Sequence, residues 1–227
     1  IVQRKYIISL IKQINKTVHD NNIAICVVND GNNKIENYLD KYLPKEIELL
    51  NLENNLCFAG ANNAGWKLLV DKYSSIKYLG TINDDTIPQN NWLDPLVLSL
   101  KNNNRVAACN PIMITHSNNI LNNKSQYSST WKLGDSKHPM VIDKERITRD
   151  TYVSVLGGFC FLAKIEALLQ IDYFDERYKN SCEDIDLCLK LRKNNWDLMT
   201  CCNSYIIHKC GKSRFKSKMN TNVPQSR

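Results

Sequence analysis

Two short acidic segments contain the residue types best suited to chemistry in this chain. The first, Asn83-Asp84-Asp85, follows an apolar run that ends at Ile82. Adjacent carboxylates at a strand end can share a hard divalent cation, which prefers oxygen ligands and bridges phosphates. The same residue types also form ordinary turns between a strand and the next element. The segment therefore predicts either a cation site or an Asx turn.

The second acidic segment runs from Ser181 to Leu187 and includes Glu183-Asp184. Ser181 with Asp184 three residues later resembles a capping box, which predicts that a helix begins here. A carboxylate at this position could also accept the proton of a sugar hydroxyl, with the neighbouring carboxylate orienting that hydroxyl. His208 follows a later apolar run, and is either a hydrogen-bonded surface residue or a third ligand of the cation site.

Alternating helical and strand-like patterns must position these residues. Apolar residues recur at helical spacing from Tyr6 to Ile14. Strand-like runs follow at 23–28, 46–51, 76–82, 106–109, 153–161 and 204–208, and predicted helices at 35–42, 60–72, 92–100, 165–169 and 183–193. The alternation predicts an α/β fold with a mostly parallel sheet covered by helices. Ligands of such sheets bind beyond the carboxyl ends of the strands, where Asp30 and Asp84-Asp85 fall.

A small-residue segment from Phe58 to Gly65 opens one of the predicted helices. Glycines permit close backbone approach, and a helix N-terminus favours an anion. The segment is not a G-x-G-x-x-G motif and no Walker lysine follows, so it is only a weak candidate for a phosphate cradle. The polar stretch from His116 to Asp150 is long enough to be a functional loop or a disordered one.

Composition limits the class of protein. A length of 227 residues with 43% hydrophobic content suits one buried α/β domain. The apolar runs are far shorter than the roughly 20 residues that span a bilayer. Nine cysteines without a repeating spacing indicate free thiols in a reducing compartment rather than a disulfide framework or a zinc site. We therefore expect a cytoplasmic protein.

The net charge of +7 is distributed unevenly, because six basic and no acidic residues follow His208. Such a run can meet an anionic diphosphate, a membrane surface or nucleic acid, or it can be a solvated, partly disordered tail. Of these partners we expect peripheral membrane contact and no nucleic acid.

The order of these segments resembles the family 2 glycosyltransferases of the GT-A fold, in their rhamnosyltransferase-like branch, from about Ile8 to Ser213. Asn29-Asp30 is similar to the turn that reads the nucleotide base in that family. The other matching segments are Asn55 with Phe58, Ala61, Asn63 and Gly65; Ile82 to Thr86; Gly157-Gly158-Phe159; Phe174-Asp175-Glu176; Glu183 to Leu187; and His208 with Gly211 and Ser213.

The resemblance implies an inverting, metal-dependent hexosyltransferase with a UDP- or dTDP-sugar donor and a glycan or glycolipid hydroxyl as acceptor. Asp85 and His208 would bind Mn²⁺ or Mg²⁺, and Asp184 with Glu183 would be catalytic. The nucleotide-sugar-binding set would be Asp30, Asn29, Asn63, Asn83, Asp84, Gly157 and Gly158. The loop 116–150 and the block from Gly157 to Asp175 would shape the acceptor site.

Three departures from the family pattern keep other interpretations open. The first strand of the family is mostly absent, Asn29-Asp30 inverts the usual order, and Cys57 replaces a glycine. We expect a single GT-A domain over residues 1–213 and a basic, flexible tail over 214–227. The absent first strand also suggests that this domain was cut from a longer protein with other domains. The alternatives are an inactive sugar- or partner-binding domain, or a nucleotidyltransferase, which would need a Gly-rich loop with Arg and Lys near its start.

Overall fold

Six helices and nine strands make up the described part of the chain. The computed structural model describes residues 2–18, 23–115, 125–127, 149–179 and 181–209. The helices are α1 (Val2–Thr17), α2 (Asn33–Tyr42), α3 (Cys57–Lys72), α4 (Leu93–Asn102), α5 (Ile165–Gln170) and α6 (Glu183–Lys193). The strands are β1 (Cys26–Asp30), β2 (Glu48–Leu52), β3 (Tyr78–Ile82), β4 (Thr86–Pro88), β5 (Val106–Thr115), β6 (Ser125–Tyr127), β7 (Thr151–Val153), β8 (Cys160–Lys164) and β9 (Asp197–His208).

The strands form two sheets. β1 and β2 pair in parallel, and the larger sheet has the order β3-β8-β5-β9-β4, with β6 added to β5 and β7 added to β9. Among the described strands of the larger sheet, only β5 and β9 pair in parallel. The α/β class with flanking helices is confirmed, but the sheet is mixed rather than mostly parallel. The reason is that β8, unseen as a separate strand in the sequence, inserts antiparallel between β3 and β5.

The apolar run at 153–161 is not one strand. It is interrupted over 154–159, between the end of β7, which pairs with β9, and the start of β8, which pairs with β3 and β5; Gly157-Gly158 lie in this interruption. Periodicity could not reveal this break, because buried apolar residues lie on both sides of it. The break places Gly158 and Phe159 at the edge of the sheet where β3 ends.

Helix α3 packs closely on β1 through its small residues. The helix begins at Cys57, earlier than predicted, so Gly60 and Gly65 lie within it and are buried. A Cβ atom on Gly65 would lie 2.7 Å from Val28 Cγ2. The small-residue segment therefore serves helix–strand packing, and the described residues contain no glycine-rich loop there.

The three largest of four apolar clusters among the described residues form most of the core. The largest surrounds Trp66, whose ring stacks on Phe174 with centroids 5.1 Å apart and whose indole N–H donates to Gly80 O at 2.8 Å. A second lies between α1, α4 and the large sheet, and a small third covers β1 and β2. Among the described residues, no helix has both the length and the apolar character needed to span a membrane.

All eight cysteines among the described residues have free thiols. Burial raises the pKa of the Cys188 thiol to about 12 and that of Cys109 well above its usual value. These two thiols are therefore neutral at physiological pH and act as small apolar residues of the core.

Candidate functional site

Asp85 and His208 meet where β4 pairs with the end of β9. Thr86 lies opposite His208 in that pairing, and the Lys209 N–H donates to Asp85 O at 3.1 Å. His208 Nε2 lies 3.0 Å from Asp85 Oδ1, and the two side chains are only 14% and 4% exposed. The fold thus brings together the two residues that the sequence singled out as cation ligands.

Asn83 and Asp84 form the turn between β3 and β4. Asn83 O accepts hydrogen bonds from the N–H of Thr86 at 3.2 Å and from its hydroxyl at 2.7 Å. Burial, and then the negative charge of Asp85, raise the pKa of Asp84 to about 6. A turn is therefore present, and it also holds two carboxylates close together, that of Asp84 half-buried and that of Asp85 buried. The turn and cation interpretations of this segment are compatible.

Asp184 lies in the first turn of α6, where its carboxylate accepts two backbone hydrogen bonds. Oδ2 accepts from the Gly158 N–H and Oδ1 from the Ile185 N–H, each at 2.9 Å. The neighbouring Glu183 is buried, with 8% of its surface exposed. The capping box expected from Ser181 is wrong: Cys182 occupies the cap position with φ +69° and no side-chain cap. Asp184 therefore bonds both to the Gly158 backbone and to the Ile185 N–H in the first turn of its own helix.

The segment Gly158 to Cys160, which we call the bridge, contacts both acidic segments, the one that begins at Asn83 and the one that contains Asp184. Its first residue donates to Asp184, while Phe159 O accepts the Asn83 N–H at 2.8 Å. The Phe159 ring stacks on His208 with centroids 5.4 Å apart and planes 19° apart. Five of the predicted site residues therefore lie around or within one short segment: Asn83, Asp85, Gly158, Asp184 and His208. Gly157, half-buried, directly precedes it.

Phe159 is a residue of the site to which the sequence assigned no role, although it ends the matching segment Gly157-Gly158-Phe159. An aromatic residue within an apolar run indicates a core position, and Phe159 is indeed buried, at 5% exposure. The signal that could have identified it is its place directly after two glycines, where the chain leaves one strand for another.

Asn29 and Asp30 end β1 beside the segment that leads into α3. Asp30 Oδ1 accepts the Leu56 N–H at 2.6 Å, and burial raises the pKa of Asp30 while that hydrogen bond opposes the rise. Asn29 is 3% exposed, and its amide donates to Asn51 Oδ1 at 2.9 Å, which ties β1 to β2. The role of Asn29 and Asp30 in nucleotide binding stays a prediction, because these hydrogen bonds only explain how the two residues stabilise the end of β1.

Asn63 joins α3 to the turn at Phe174-Asp175-Glu176 through side-chain hydrogen bonds. Its amide nitrogen donates to Phe174 O at 2.9 Å and to Glu176 Oε1 at 3.0 Å, and its Oδ1 accepts the Phe174 N–H at 3.1 Å. The side chain is 3% exposed. The sequence predicted donor binding for Asn63; that role remains a prediction, and the contacts reveal a structural role that the sequence did not indicate.

Several other predictions fall outside the described residues. They concern most of the acceptor loop 116–150, together with Gly211, Ser213 and the tail 214–227.

The architecture is that of the GT-A glycosyltransferases. A crystal structure of GalNAc-T7 with UDP, GalNAc and Mn²⁺ matches with a TM-score of 0.69 at 15% identity, over 90% of this chain and 41% of that one. A structure of Staphylococcus aureus TarS 1–349 in complex with UDP matches with a TM-score of 0.64 at 15% identity, over 91% of this chain and 57% of that one. At such low identities the similarity establishes the fold alone.

The chain belongs to glycosyl transferase family 2, since the sequence profile of that family matches residues 3–171. The rhamnosyltransferase WbbL of Escherichia coli (strain K12) is 37% identical over 67 residues, which are 30% of this chain and 25% of the relative. The chain thus spans a quarter of the length of this curated relative. The family expected from the motifs is confirmed, and the partial similarity to this relative supports the expected rhamnosyltransferase-like branch.

Proposed function

We propose that this domain transfers a sugar from a nucleotide-diphosphate sugar to a hydroxyl acceptor, with inversion at the anomeric carbon. The observation that carries the proposal is the bridge, which contacts the Asn83 turn, His208 and Asp184 within three residues. Such a reaction needs a cation beside the departing diphosphate and a base beside the acceptor hydroxyl. The bridge connects the candidate groups for both tasks.

Asp85 and His208 fit a divalent cation, because a carboxylate oxygen and an imidazole nitrogen are both ligands that Mn²⁺ accepts. A bound Mn²⁺ or Mg²⁺ would neutralise charge on the departing diphosphate. Among the described residues no three His, Cys, Asp or Glu side chains form a metal-binding group, so donor oxygens and water would complete the shell. The GalNAc-T7 structure contains UDP and Mn²⁺, which supports this choice.

Asp184 is the proposed general base. The Gly158 N–H fixes the direction of its carboxylate, and each carboxylate oxygen can accept a further hydrogen bond. Asp184 takes the proton of the acceptor hydroxyl while that oxygen bonds to the anomeric carbon and the bond to the diphosphate breaks on the opposite face. Glu183 would orient the acceptor, which we propose to be a glycan or glycolipid hydroxyl.

Donor binding is proposed for the remaining predicted residues. Asn29 and Asp30 would meet the base, and the other members of the set, Asn63, Asn83, Asp84, Gly157 and Gly158, would surround the ribose, diphosphate or sugar. UDP in both structural neighbours supports a uridine donor, whereas the name of the E. coli relative supports testing dTDP-rhamnose beside it.

A binding domain without transfer activity is the second candidate. It is favoured by the two backbone N–H groups that already bond to the Asp184 carboxylate, since such bonds alone would explain an aspartate at this position. Donor binding is common to both candidates, and only turnover separates them.

Cation-dependent donor binding is the first prediction. Titration calorimetry of the full chain with UDP and with dTDP, in Mn²⁺ and again in EDTA, should show binding of at least one nucleotide only with the cation. Asp85→Asn should weaken that binding roughly tenfold, since it removes the charged ligand. Equal affinity in EDTA would contradict the cation site.

Loss of turnover in Asp184→Asn is the second prediction. The variant should lower transfer or donor hydrolysis, measured by mass spectrometry, by roughly 100-fold or more, because the base is lost. Its affinity for UDP should stay within about twofold, since the Asn oxygen can still accept the Gly158 N–H, although the bond from the Ile185 N–H is lost. Asp71→Asn, on the exposed side of α3, is the matched control. Unchanged turnover in Asp184→Asn would refute its role as base, and wild-type binding without turnover would favour the binding domain.

A further inference from the structure

The positive charge of the chain resides at its two ends. Residues 1–18 contain four basic residues and no acidic one, and residues 209–227 contain six and none. Of the 30 Lys and Arg residues these segments hold 10, which leaves 20 against 23 acidic residues in the remainder. The net charge of +7 therefore comes entirely from two segments at opposite ends of the sequence.

The fold places Lys209, the first residue of the second segment, against the first segment. Helix α1 packs on β4, and Gln13 Nε2 donates to Pro88 O at 3.0 Å. β4 pairs with the end of β9, the strand that leads to Lys209. Lys209 Nζ lies 4.7 Å from the centroid of the Tyr6 ring on α1. The basic C-terminal segment thus starts against the basic first helix.

A shallow groove of about 450 Å³ lies between α1 and α2. It is lined by Ile8, Ser9, Lys12, Gln13, Lys16 and Tyr38. On α2, Lys41 and Tyr42 follow Tyr38 by three and four residues and so share its face. Glu36 and Asp40 are each two residues from Tyr38, which turns them about 160° away from it.

We name the exposed surface formed by Lys12, Lys16, Tyr38, Lys41 and Tyr42 the basic face. We propose that this face, together with Lys209, docks the protein on the anionic headgroups of a lipid bilayer. Clustered lysines are attracted to an anionic leaflet by roughly 1 kcal/mol each, or about fivefold in partition. The inference does not depend on the proposed transfer activity.

The contacts of α1 determine how the protein would lie on the bilayer. Leu10, Ile11 and Ile14 are buried in the core, so the apolar side of the helix is not available for insertion. Tyr42 is 52% exposed, and an amphipathic tyrosine ring suits the headgroup region. Docking is therefore electrostatic and peripheral, at the level of the headgroups.

A nucleic acid would meet the same positive charge, but the rings of the basic face suit it less well. Tyr38 and Tyr42 contact each other with centroids 4.7 Å apart, and Lys41 Nζ lies 5.3 Å from the Tyr42 centroid. Binding of single strands uses ring faces on which bases stack. A bilayer needs only the ring edges and the hydroxyl groups, so the contacts favour the membrane.

Vesicle sedimentation of the full chain tests the proposal. We expect the protein to sediment with phosphatidylcholine vesicles only when they contain phosphatidylglycerol, and to be released as NaCl shortens the screening length. Lys12→Gln with Lys16→Gln should lower the partition coefficient roughly 25-fold, about fivefold for each lysine. Lys67→Gln with Lys101→Gln, both at exposed positions of α3 and α4, removes the same charge elsewhere and should change it less than twofold.

Three results would overturn the proposal. They are failure of the wild type to sediment with anionic vesicles, an equal loss in both double variants, and no loss in the Lys12, Lys16 variant. Tight binding of a single-stranded oligonucleotide at the same salt, with no binding to vesicles, would assign the face to nucleic acid instead. All four lysines are exposed, so unfolding is not expected, and circular dichroism of each variant checks this.

Discussion

The backbone at Gly158 lies directly against the carboxylate proposed as the base. A Cβ atom on this glycine would lie 3.3 Å from Phe58 Cζ and 3.4 Å from Asp184 Cβ. Those distances are tight but not impossible, so a methyl group would displace its neighbours by a few tenths of an ångström. At Gly31 the situation differs, because φ is +68° and a Cβ atom would lie 2.5 Å from the Asn55 backbone nitrogen.

These two glycines should therefore respond differently to alanine. Gly158→Ala should lower turnover roughly tenfold by shifting the base, while costing about 1 kcal/mol of unfolding free energy. Gly31→Ala should cost more, about 1–3 kcal/mol for the left-handed backbone alone. Urea unfolding and a transfer assay measure both effects. Unchanged turnover in a folded Gly158→Ala protein would contradict the close coupling between the bridge and Asp184.

Helix α3 and the turn at Phe174-Asp175-Glu176 behave as one unit at the scale of elements. Asn63 joins them through three hydrogen bonds, and the Trp66 ring stacks on Phe174 beside it. The turn leads through Ser181 to α6, which carries Asp184. The position of the proposed base thus depends on a contact made from a helix more than a hundred residues earlier.

Asn63→Ala should lower the unfolding free energy by roughly 2–3 kcal/mol, because the Phe174 N–H and C=O would be left buried without their partner. Asn102→Ala, at an exposed position of α4, is the control and should change it by less than about 0.5 kcal/mol. Urea unfolding gives both values. Should Asn63→Ala instead keep its stability and lose UDP affinity, the donor-binding role predicted from the sequence would be favoured over the structural one.

At the scale of the whole molecule, the described residues contain a large core around Trp66, a second core under α1 and α4, and a small one over β1 and β2, besides a minor cluster at Ile112 and Cys202. The small core consists of Ile11, Val27, Leu39 and Ile47. It holds the part of the molecule where Asn29 and Asp30 lie, whereas the bridge and Asp184 rest on the other two cores. Local opening of the small core should therefore disturb the site at Asn29 and Asp30 and leave the bridge and Asp184 intact.

Leu39→Ala tests that division, since Leu39 is 1% exposed in the small core. We expect a loss of about 2–5 kcal/mol of local stability from the cavity. Hydrogen exchange followed by mass spectrometry should show faster exchange in β1 and β2 and unchanged exchange in β8. Leu168→Ala, fully buried in the large core, is the comparison and should speed exchange in β8. Uniform acceleration in both variants would mean that the cores open together.

Most helices and the strands before them could be predicted from the sequence, because hydrophobic periodicity depends on neighbouring residues. α6 begins at Glu183 and α2 ends at Tyr42, as the pattern indicated. The split of 153–161, the short strand β4 and the antiparallel insertion of β8 could not be predicted. Each depends on which distant strand is available as a partner, and no local pattern encodes that.

The sequence by itself determined the family and the residues able to do chemistry, since both depend on residue types in a fixed order along the chain. Only the tertiary structure decided which of them meet. Asp85 and His208 are 123 positions apart and lie 3.0 Å from each other because β4 pairs with β9. Gly158 reaches Asp184 because β8 returns beside β3. Long-range strand pairing, rather than local preference, assembles the candidate site.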